Sequence, residues 1–386
     1  MELTEPRPRL PALTSLRFFA ALHVVFFHLL AMKVLWSQGW LRKISSIGYV
    51  GVSFFFVLSG FILVYTYAGR DTAPREFWRA RVARIYPAYL FSLLVTGPFF
   101  VYGSLFLKVP FFEWTSAHFK LVLVLVPMLL QAWIPLAALA WNSVAWSLSD
   151  EAFFYLGFPL LQKRILRLGA GALALMVAGS WTLSLGITSL YALTNPDHLQ
   201  VVDSDVLNAF WLNAVKFHPL VRLPEFLLGM ACGAIFLKSK RDRRFALPLI
   251  LGGLAMCAAV VANSPRLPYP VLHTSLLAPA FAAIIYGFGL GPRWASVLSW
   301  RPFEFLGDAS YSLYLLHSTM VWPFFYTQSN EPRHRTIGWI FAYLLMAVSV
   351  SGLVYRFIEE PARRKLRGKK KESVLPALFE KAASRT

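Results

Sequence analysis

The stretch LTSLRFFAALHVVFFHLLAMK, residues 13–33, places an arginine and two histidines inside an apolar run that is long enough to cross a membrane. Polar side chains are costly in hydrocarbon and commonly mark functional sites. A helix turns by about 100° per residue, so Arg17 and His28 differ by only roughly 20° in direction around the helix axis. They lie about 16 Å apart along that axis. His23 lies about 140° away from His28. We therefore predict that Arg17 and His28 face one site, whereas His23 bonds a neighbouring helix.

A second group of cations lies in PREFWRARVARIYP, residues 74–87. Arg81 and Arg84 are three residues apart, so their guanidinium groups are neighbours on one helical face. Two adjacent cations repel unless an anion lies between them, and the planar donors of arginine suit phosphate. A basic interfacial helix that contacts anionic lipid headgroups is the alternative. We expect this helix to begin near Pro74 and to stop at Pro87.

Glu151 lies in the middle of WNSVAWSLSDEAFFYLGFPLL, residues 141–161, and an intramembrane carboxylate is a functional candidate. A histidine and a carboxylate in one dry cavity form the pair needed for general-base catalysis on a hydroxyl. A structural bond between helices is the alternative for Glu151. For His317, in FLGDASYSLYLLHS, both interpretations stay open. Ser59 and the glycines of GYVGVSFFFVLSGF predict close helix packing.

The composition indicates which kind of secondary structure positions these residues. The chain has 386 residues, of which 57% are hydrophobic and 16% aromatic, and its mean hydropathy is +0.55. These values indicate an all-α, polytopic integral membrane protein. The net charge is +19, and the basic residues lie between the hydrophobic runs. This distribution is explained by the positive-inside rule of membrane proteins and does not require nucleic-acid binding. Cys232 and Cys257 show no metal-ligand spacing, so no metal is expected.

The hydrophobic runs and the basic segments between them predict the topology. The basic segments 70–84, 163–167 and 238–244 are expected in the cytoplasm together with both termini. That orientation leaves about ten transmembrane helices. The run 119–137, broken by Pro127 and Pro135, is then re-entrant or interfacial. We predict a membrane domain over 1–362 and a basic cytoplasmic tail over 363–386. The runs lie at 13–35, 48–68, 87–107, 119–137, 143–162, 168–190, 220–238, 245–263, 271–290, 305–327 and 336–358.

These motifs, in this order, resemble the acyltransferase-3 family of integral membrane O-acyltransferases along nearly the whole chain. The family patterns fall on Arg17 and His28, on Arg81 and Arg84, on GVSFFFVLSGF, and on WSLSDEAFFYL with Glu151. FLGDASYSLYLLH and FIEEP are similar to the late signatures, on Tyr311, His317, Glu359 and Pro361. Two positions depart from the family pattern: Ser53, which is often acidic, and Asp150, which is often apolar.

The resemblance implies transfer of an acyl group, acetyl by family habit, from cytoplasmic acyl-CoA to a hydroxyl of a cell-surface or lipid-linked carbohydrate. Arg17, Arg81 and Arg84 would bind the CoA phosphates. His28 would be the base or a transient acyl carrier, and Glu151 would orient it. Ser59, Tyr311 and His317 are further substrate-binding or structural positions. The resemblance also implies a multi-pass protein of the bacterial cytoplasmic (inner) membrane, in contact with lipids and not with nucleic acid. The alternatives are acylation of a small metabolite such as a macrolide, and a membrane transporter.

Overall fold

The computed structural model describes residues 7–35, 38–70, 72–107, 110–203, 206–274, 276–325 and 336–367. Most of the predicted tail, 363–386, therefore lies outside the described residues. The described part of the chain is helical and contains no β-strand. Short 3₁₀ turns and a π-helical segment at Tyr355–Glu359 join the α-helices. The α-helices are α1 Pro11–Ala31, α2 Gly39–Ser46, α3 Gly51–Tyr67, α4 Pro74–Phe106, α5 Pro110–Ala117, α6 Phe119–Leu125, α7 Trp146–Ile165, α8 Ala170–Thr194, α9 Phe210–Phe217, α10 Pro219–Lys238, α11 Ala246–Asn263, α12 Tyr269–His273, α13 Ala278–Gly289, α14 Arg301–Phe325, α15 Ile337–Val354 and α16 Glu360–Arg367.

Eight helical segments of the described chain are long and apolar enough to cross a membrane, which confirms the prediction of an all-α polytopic membrane protein. The helices α7 and α14 contain 20 and 25 residues, but they are not among these eight segments. Both carry polar residues of the predicted site, Glu151 on α7 and Tyr311 and His317 on α14. The eight segments are Pro11–Ala31, Gly48–Tyr67, Pro74–Phe106, Ala170–Thr194, Phe210–Lys238, Arg243–Arg266, Tyr269–Gly289 and Ile337–Leu366.

The outer helices present apolar side chains away from the protein. On α8, Leu175 is 75% exposed and Leu193 is 85% exposed, and only 17% of the apolar window of this helix is buried. By contrast, 83% of the window that contains α3 is buried. Apolar surfaces of this kind suit a lipid environment, so α3 is a central helix and α8 a lipid-facing one.

The run 119–137 does not form a spanning helix, as predicted. Only α6 is α-helical here, and two 3₁₀ turns at Gln131–Trp133 and Pro135–Ala137 follow it. The irregular backbone is buried and bonded by neighbouring side chains, since Ser149 Oγ donates to the carbonyl of Leu129 at 2.6 Å and Tyr89 Oη donates to that of Val126. Non-helical backbone is tolerated at membrane depth when protein covers it in this way.

The prediction that a helix stops at Pro87 is wrong, because α4 continues through Pro87 and Pro98 to Phe106. A proline inside a membrane helix is tolerated when neighbouring groups bond the backbone that it disturbs. Pro87 removes the hydrogen bond to the carbonyl of Ala83. Tyr311 Oη on α14 donates to the nearby carbonyl of Ile85 at 2.9 Å and so anchors this turn of α4 to α14. The interfacial arginine segment and the following span are therefore one helix.

Glycines allow the close crossing of α3 and α10. A Cβ at Gly60 would lie 2.2 Å from the carbonyl oxygen of Phe226, and one at Gly229 would lie 2.1 Å from that of Val57. Real Cβ atoms do not approach backbone so closely, so the two helices touch only because these positions lack side chains. This confirms the close packing predicted for the small residues of the second run.

We expect Gly229→Ala to lower the thermal unfolding midpoint of the detergent-purified protein. The added methyl group forces α3 and α10 apart, and overpacking of this kind costs about 1–3 kcal/mol. Gly179→Ala on α8 is the matched control, because nothing lies within 4 Å of a Cβ built there. Equal destabilisation of the two variants would contradict the packing argument.

Candidate active site

A cavity of about 120 Å³ lies where α1, α3, α4, α7 and α14 converge. Its lining contains most of the residues that the sequence analysis selected, although they come from five different helices. The glutamate faces a set of arginines across this small volume, so the cavity combines cationic donors with one carboxylate. The predicted residues that line it are Arg17, Ser59, Arg81, Arg84, Glu151 and Tyr311.

Arg84 is held by a buried carboxylate from the late signature. Its Nη1 lies 2.9 Å from Oε1 of Glu359, whose side chain is fully buried, and the Arg84 side chain is 18% exposed. Ser312 Oγ donates to the other oxygen of Glu359 at 3.1 Å. Glu359 closes the π-helical segment after α15, and such segments often position a functional side chain. The pair fixes the guanidinium of Arg84 at the cavity wall.

Arg81 is held by aromatic rings instead of a carboxylate. Its guanidinium carbon lies 5.8 Å from the ring centre of Tyr67, 5.7 Å from that of Phe77 and 5.8 Å from that of Tyr155. Cation–π contacts orient the group without neutralising it. Within the described chain, neither Arg81 nor Arg17 has an ion pair. Both therefore remain available to an anion in the cavity.

His28 does not line this cavity; it pairs with His317, and the two ring centres lie 4.8 Å apart. His317 Nδ1 lies 2.8 Å from the carbonyl of Tyr314 and 3.1 Å from that of Leu313, so Nδ1 carries the proton. His317 Nε2 is then an acceptor, 3.1 Å from His28 Nδ1. His28 Nδ1 also lies 2.9 Å from the carbonyl of Val24. Because both its neighbours are acceptors, His28 Nδ1 carries a hydrogen, and the lone pair of the ring is on Nε2.

One aromatic layer lies between the cavity and the histidine pair. Tyr314 lines the cavity, and its ring centre lies 6.2 Å from that of His317. Phe55 also lines the cavity, 6.1 Å from Tyr314. Tyr314 is anchored, because its Oη donates to the carbonyl of Val144 at 2.8 Å. The cavity therefore ends one ring away from the histidines.

The remaining predicted residues have identified contacts. His23 Nε2 donates to the carbonyl of Ile44 on α2 at 2.7 Å. His23 therefore contacts a different helix from His28. Ser59 Oγ and Tyr155 Oη are 3.3 Å apart at the cavity wall. Glu151 interacts electrostatically with the three cavity arginines, and no hydrogen bond joins it to His28 among the described residues. His317 occupies the orienting position beside His28 instead.

The sequence analysis missed a second buried charge cluster, on α10. The side chains of Arg222 and Glu225 are fully buried, with Nη2 and Oε2 3.0 Å apart. Arg222 also donates to Ser53 Oγ at 3.1 Å and interacts electrostatically with the buried Asp150. The two positions that depart from the family pattern, Ser53 and Asp150, thus meet at one arginine. Opposite charges three residues apart inside the run 220–238 were the signal that could have predicted this pair.

The fold and the site define a polytopic helical membrane protein with a buried arginine–glutamate cavity and a histidine pair behind it. The sequence matches the Acyl_transf_3 family, described as an acyltransferase domain, over residues 10–356. The chain therefore belongs to this family, and the resemblance inferred from its motifs is confirmed.

Three relatives illustrate the similarity. Acyltransferase MdmB of Streptomyces mycarofaciens is 28% identical over 389 residues, which cover 93% of this chain and 92% of that protein. O-acetyltransferase OatA of Staphylococcus aureus is 26% identical over 385 residues, 92% of this chain but only 57% of that protein. Exopolysaccharide production protein ExoZ of Rhizobium meliloti is 30% identical over 280 residues, 71% of this chain and 76% of that protein. No solved structure shows a significant match.

Proposed function

We propose that this membrane O-acyltransferase moves an acetyl group from cytoplasmic acyl-CoA to a hydroxyl of a cell-surface or lipid-linked carbohydrate. The observation that carries the proposal is the convergence of Arg17, Arg81, Arg84 and Glu151 on one buried cavity. Arginine forks bind phosphate oxygens in two-point geometry, and a water-poor site strengthens such contacts. Two relatives support acetyl transfer and a carbohydrate acceptor by their names: OatA is an O-acetyltransferase, and ExoZ is an exopolysaccharide production protein.

In the proposed reaction His28 Nε2 removes the proton of the acceptor hydroxyl as its oxygen attacks the thioester carbon. The C–S bond breaks, the ester C–O bond forms, and the proton passes from His28 to the leaving CoA sulfur. His317 is a positioning residue, since its contact with His28 Nδ1 keeps the lone pair on Nε2. Because Phe55 and Tyr314 lie between the cavity and the pair, this layer has to move for the thioester to reach His28.

The test is an assay with purified protein in lipid nanodiscs. Acetyl-CoA is supplied with envelope glycans or, separately, with small hydroxylated metabolites. Free CoA is measured by chromatography and acetylated product by mass spectrometry. We expect CoA release that depends on the glycan. Release only with the small molecules would favour a metabolite acceptor. The same protein reconstituted in closed proteoliposomes tests for transport: uptake of substrate with no CoA release would overturn the proposal in favour of a transporter.

Arg81→Ala should raise the KM for acetyl-CoA about tenfold with little change in kcat, because it removes charge-assisted hydrogen bonds to the donor but leaves His28 intact. Arg79→Ala is the matched control, since Arg79 is an exposed arginine of the same helix that does not line the cavity. An unchanged KM in Arg81→Ala would remove the phosphate-binding role from this residue.

A further inference from the structure

A second cavity of about 260 Å³ opens beside the first, between the end of α3, the start of α4 and the end of α7. It lies at the basic segments 70–84 and 163–167, which the charge pattern assigns to the cytoplasmic side. The proposed reaction assigns no role to this cavity. The lining residues that bear on its chemistry are Tyr67, Arg70, Phe77, Trp78, Gln162 and Lys163.

The two cavities follow one another along a single groove between α3, α4 and α7, called here the seam. Each of the three helices contributes a residue to the first cavity and, one turn away, a residue to the second. One helical turn is about 5.4 Å, so the two volumes are neighbours in the same groove. The pairs are Leu63 and Tyr67 on α3, Arg81 and Phe77 on α4, and Tyr155 and Pro159 on α7.

Arg81 stands at the boundary of the two cavities. It lines the first, whereas two of the rings that hold it, those of Tyr67 and Phe77, line the second. Its Nε is buried and has no hydrogen-bond partner in the part of the chain that the structure describes. A ligand that extends through both cavities would therefore pass this cation midway.

The second cavity combines aromatic walls with cations at its mouth. Tyr67 and Phe77 are buried, whereas Trp78 is 36% exposed. Arg70 and Lys163 are exposed. Aromatic faces stack on a purine, and arginine and lysine bind phosphate. The set fits a phosphorylated purine nucleoside, whose base would lie on the exposed ring of Trp78 and whose phosphates would contact the two cations.

We infer that the second cavity is the subsite for the nucleotide end of the acyl donor, an adenosine 3′-phosphate 5′-diphosphate. This inference rests on the proposed function and adds a binding site to it. The adenine stacks on Trp78, the exposed aromatic ring of the lining, and Arg70 and Lys163 bind the 3′-phosphate. The diphosphate lies at Arg81, and the pantetheine arm carries the thioester into the first cavity.

The test compares the double variant Arg70→Ala/Lys163→Ala with the unmodified protein in nanodiscs of phosphatidylcholine. Adenosine 3′,5′-bisphosphate binding is measured by calorimetry, and KM is measured for acetyl-CoA and for S-acetylpantetheine, which lacks the nucleotide. We expect at least about tenfold weaker binding of the bisphosphate and a similar rise in the acetyl-CoA KM. The KM for S-acetylpantetheine should not change. Arg75→Ala/Arg164→Ala is the matched control, because it removes the same charge from exposed residues outside both cavities.

Unchanged binding of the bisphosphate by the double variant would overturn the subsite and leave the proposed function intact if acetyl-CoA is still consumed. Displacement of the bisphosphate by phosphatidylglycerol added to the nanodiscs would instead identify a lipid-headgroup site and also overturn the inference. If the unmodified protein consumes no acyl-CoA, the proposed function fails. The calorimetric measurement then decides the nucleotide site by itself.

Discussion

Replacing His28 with alanine is expected to abolish acyl transfer while the protein still folds. The side chain supplies the lone pair on Nε2 that accepts the proton of the acceptor hydroxyl, and a general base contributes about 10²–10⁴-fold to the rate. His28 is absent from the lining of the arginine cavity. The loss should therefore appear in kcat, with the KM for acetyl-CoA nearly unchanged. The measurement is steady-state transfer by purified protein, with folding monitored by size-exclusion chromatography and thermal unfolding.

His23→Ala is the matched control for this prediction. The residue is a histidine of the same helix, and its Nε2 bonds the carbonyl of Ile44. We expect His23→Ala to retain transfer, because this contact belongs to the packing of α1 on α2. A fully active His28→Ala variant would eliminate His28 as the base. Equal losses in both variants would point to damage of α1 as a whole.

Replacing Arg222 with methionine is expected to destabilise the protein by about 3–5 kcal/mol, the range for removing one partner of a buried ion pair. Arg222 and Glu225 are fully buried and 3.0 Å apart, and among the described residues no hydrogen-bond partner contacts either carboxylate oxygen of Asp150, which is also buried. Without the arginine, the buried carboxyl groups of Glu225 and Asp150 lose the cation that interacts with both. Thermal unfolding in detergent, followed by tryptophan fluorescence, measures the loss.

Two further variants separate this charge effect from other causes. Arg222→Met/Glu225→Gln should recover part of the stability, because the second substitution also removes the buried negative charge of Glu225. Arg356→Ala should change stability little, since its pair with Glu360 leaves the Arg356 side chain 64% exposed and screened by water. If Arg222→Met is no more harmful than Arg356→Ala, the buried cluster does not stabilise the fold.

Local periodicity predicted much of the fold. Apolar runs located the long helices to within a few residues, because lipid-exposed backbone must satisfy its own hydrogen bonds and therefore forms helices. Prolines and the charge pattern correctly excluded 119–137 as a span. The expectation that a proline ends a helix failed at Pro87, where α4 continues. Helices distant in the chain pack on this part of α4, as the bond from Tyr311 on α14 to the carbonyl of Ile85 shows, and no local signal indicates that packing.

The sequence predicted most of the residues that line the candidate site, but not which of them contact one another. Spacing placed Arg81 and Arg84 on one helical face, and both line the cavity together with Glu151. The partner of Arg84 is Glu359, from the far end of the chain. Spacing also paired Arg17 with His28, although only Arg17 lines the cavity, because the residues packed around a helix change along its length.

By itself, the sequence determined that this protein is a polytopic helical membrane protein, which of its polar residues are candidates for its chemistry, and which family it resembles. These properties follow from hydropathy, helical period and residue type, all of which are local. Only the tertiary structure decided that His28 bonds His317, 289 positions away, and that three helices join two cavities in one seam. Such contacts depend on how helices distant in the chain pack against one another, and helical period within a single segment carries no information about that packing.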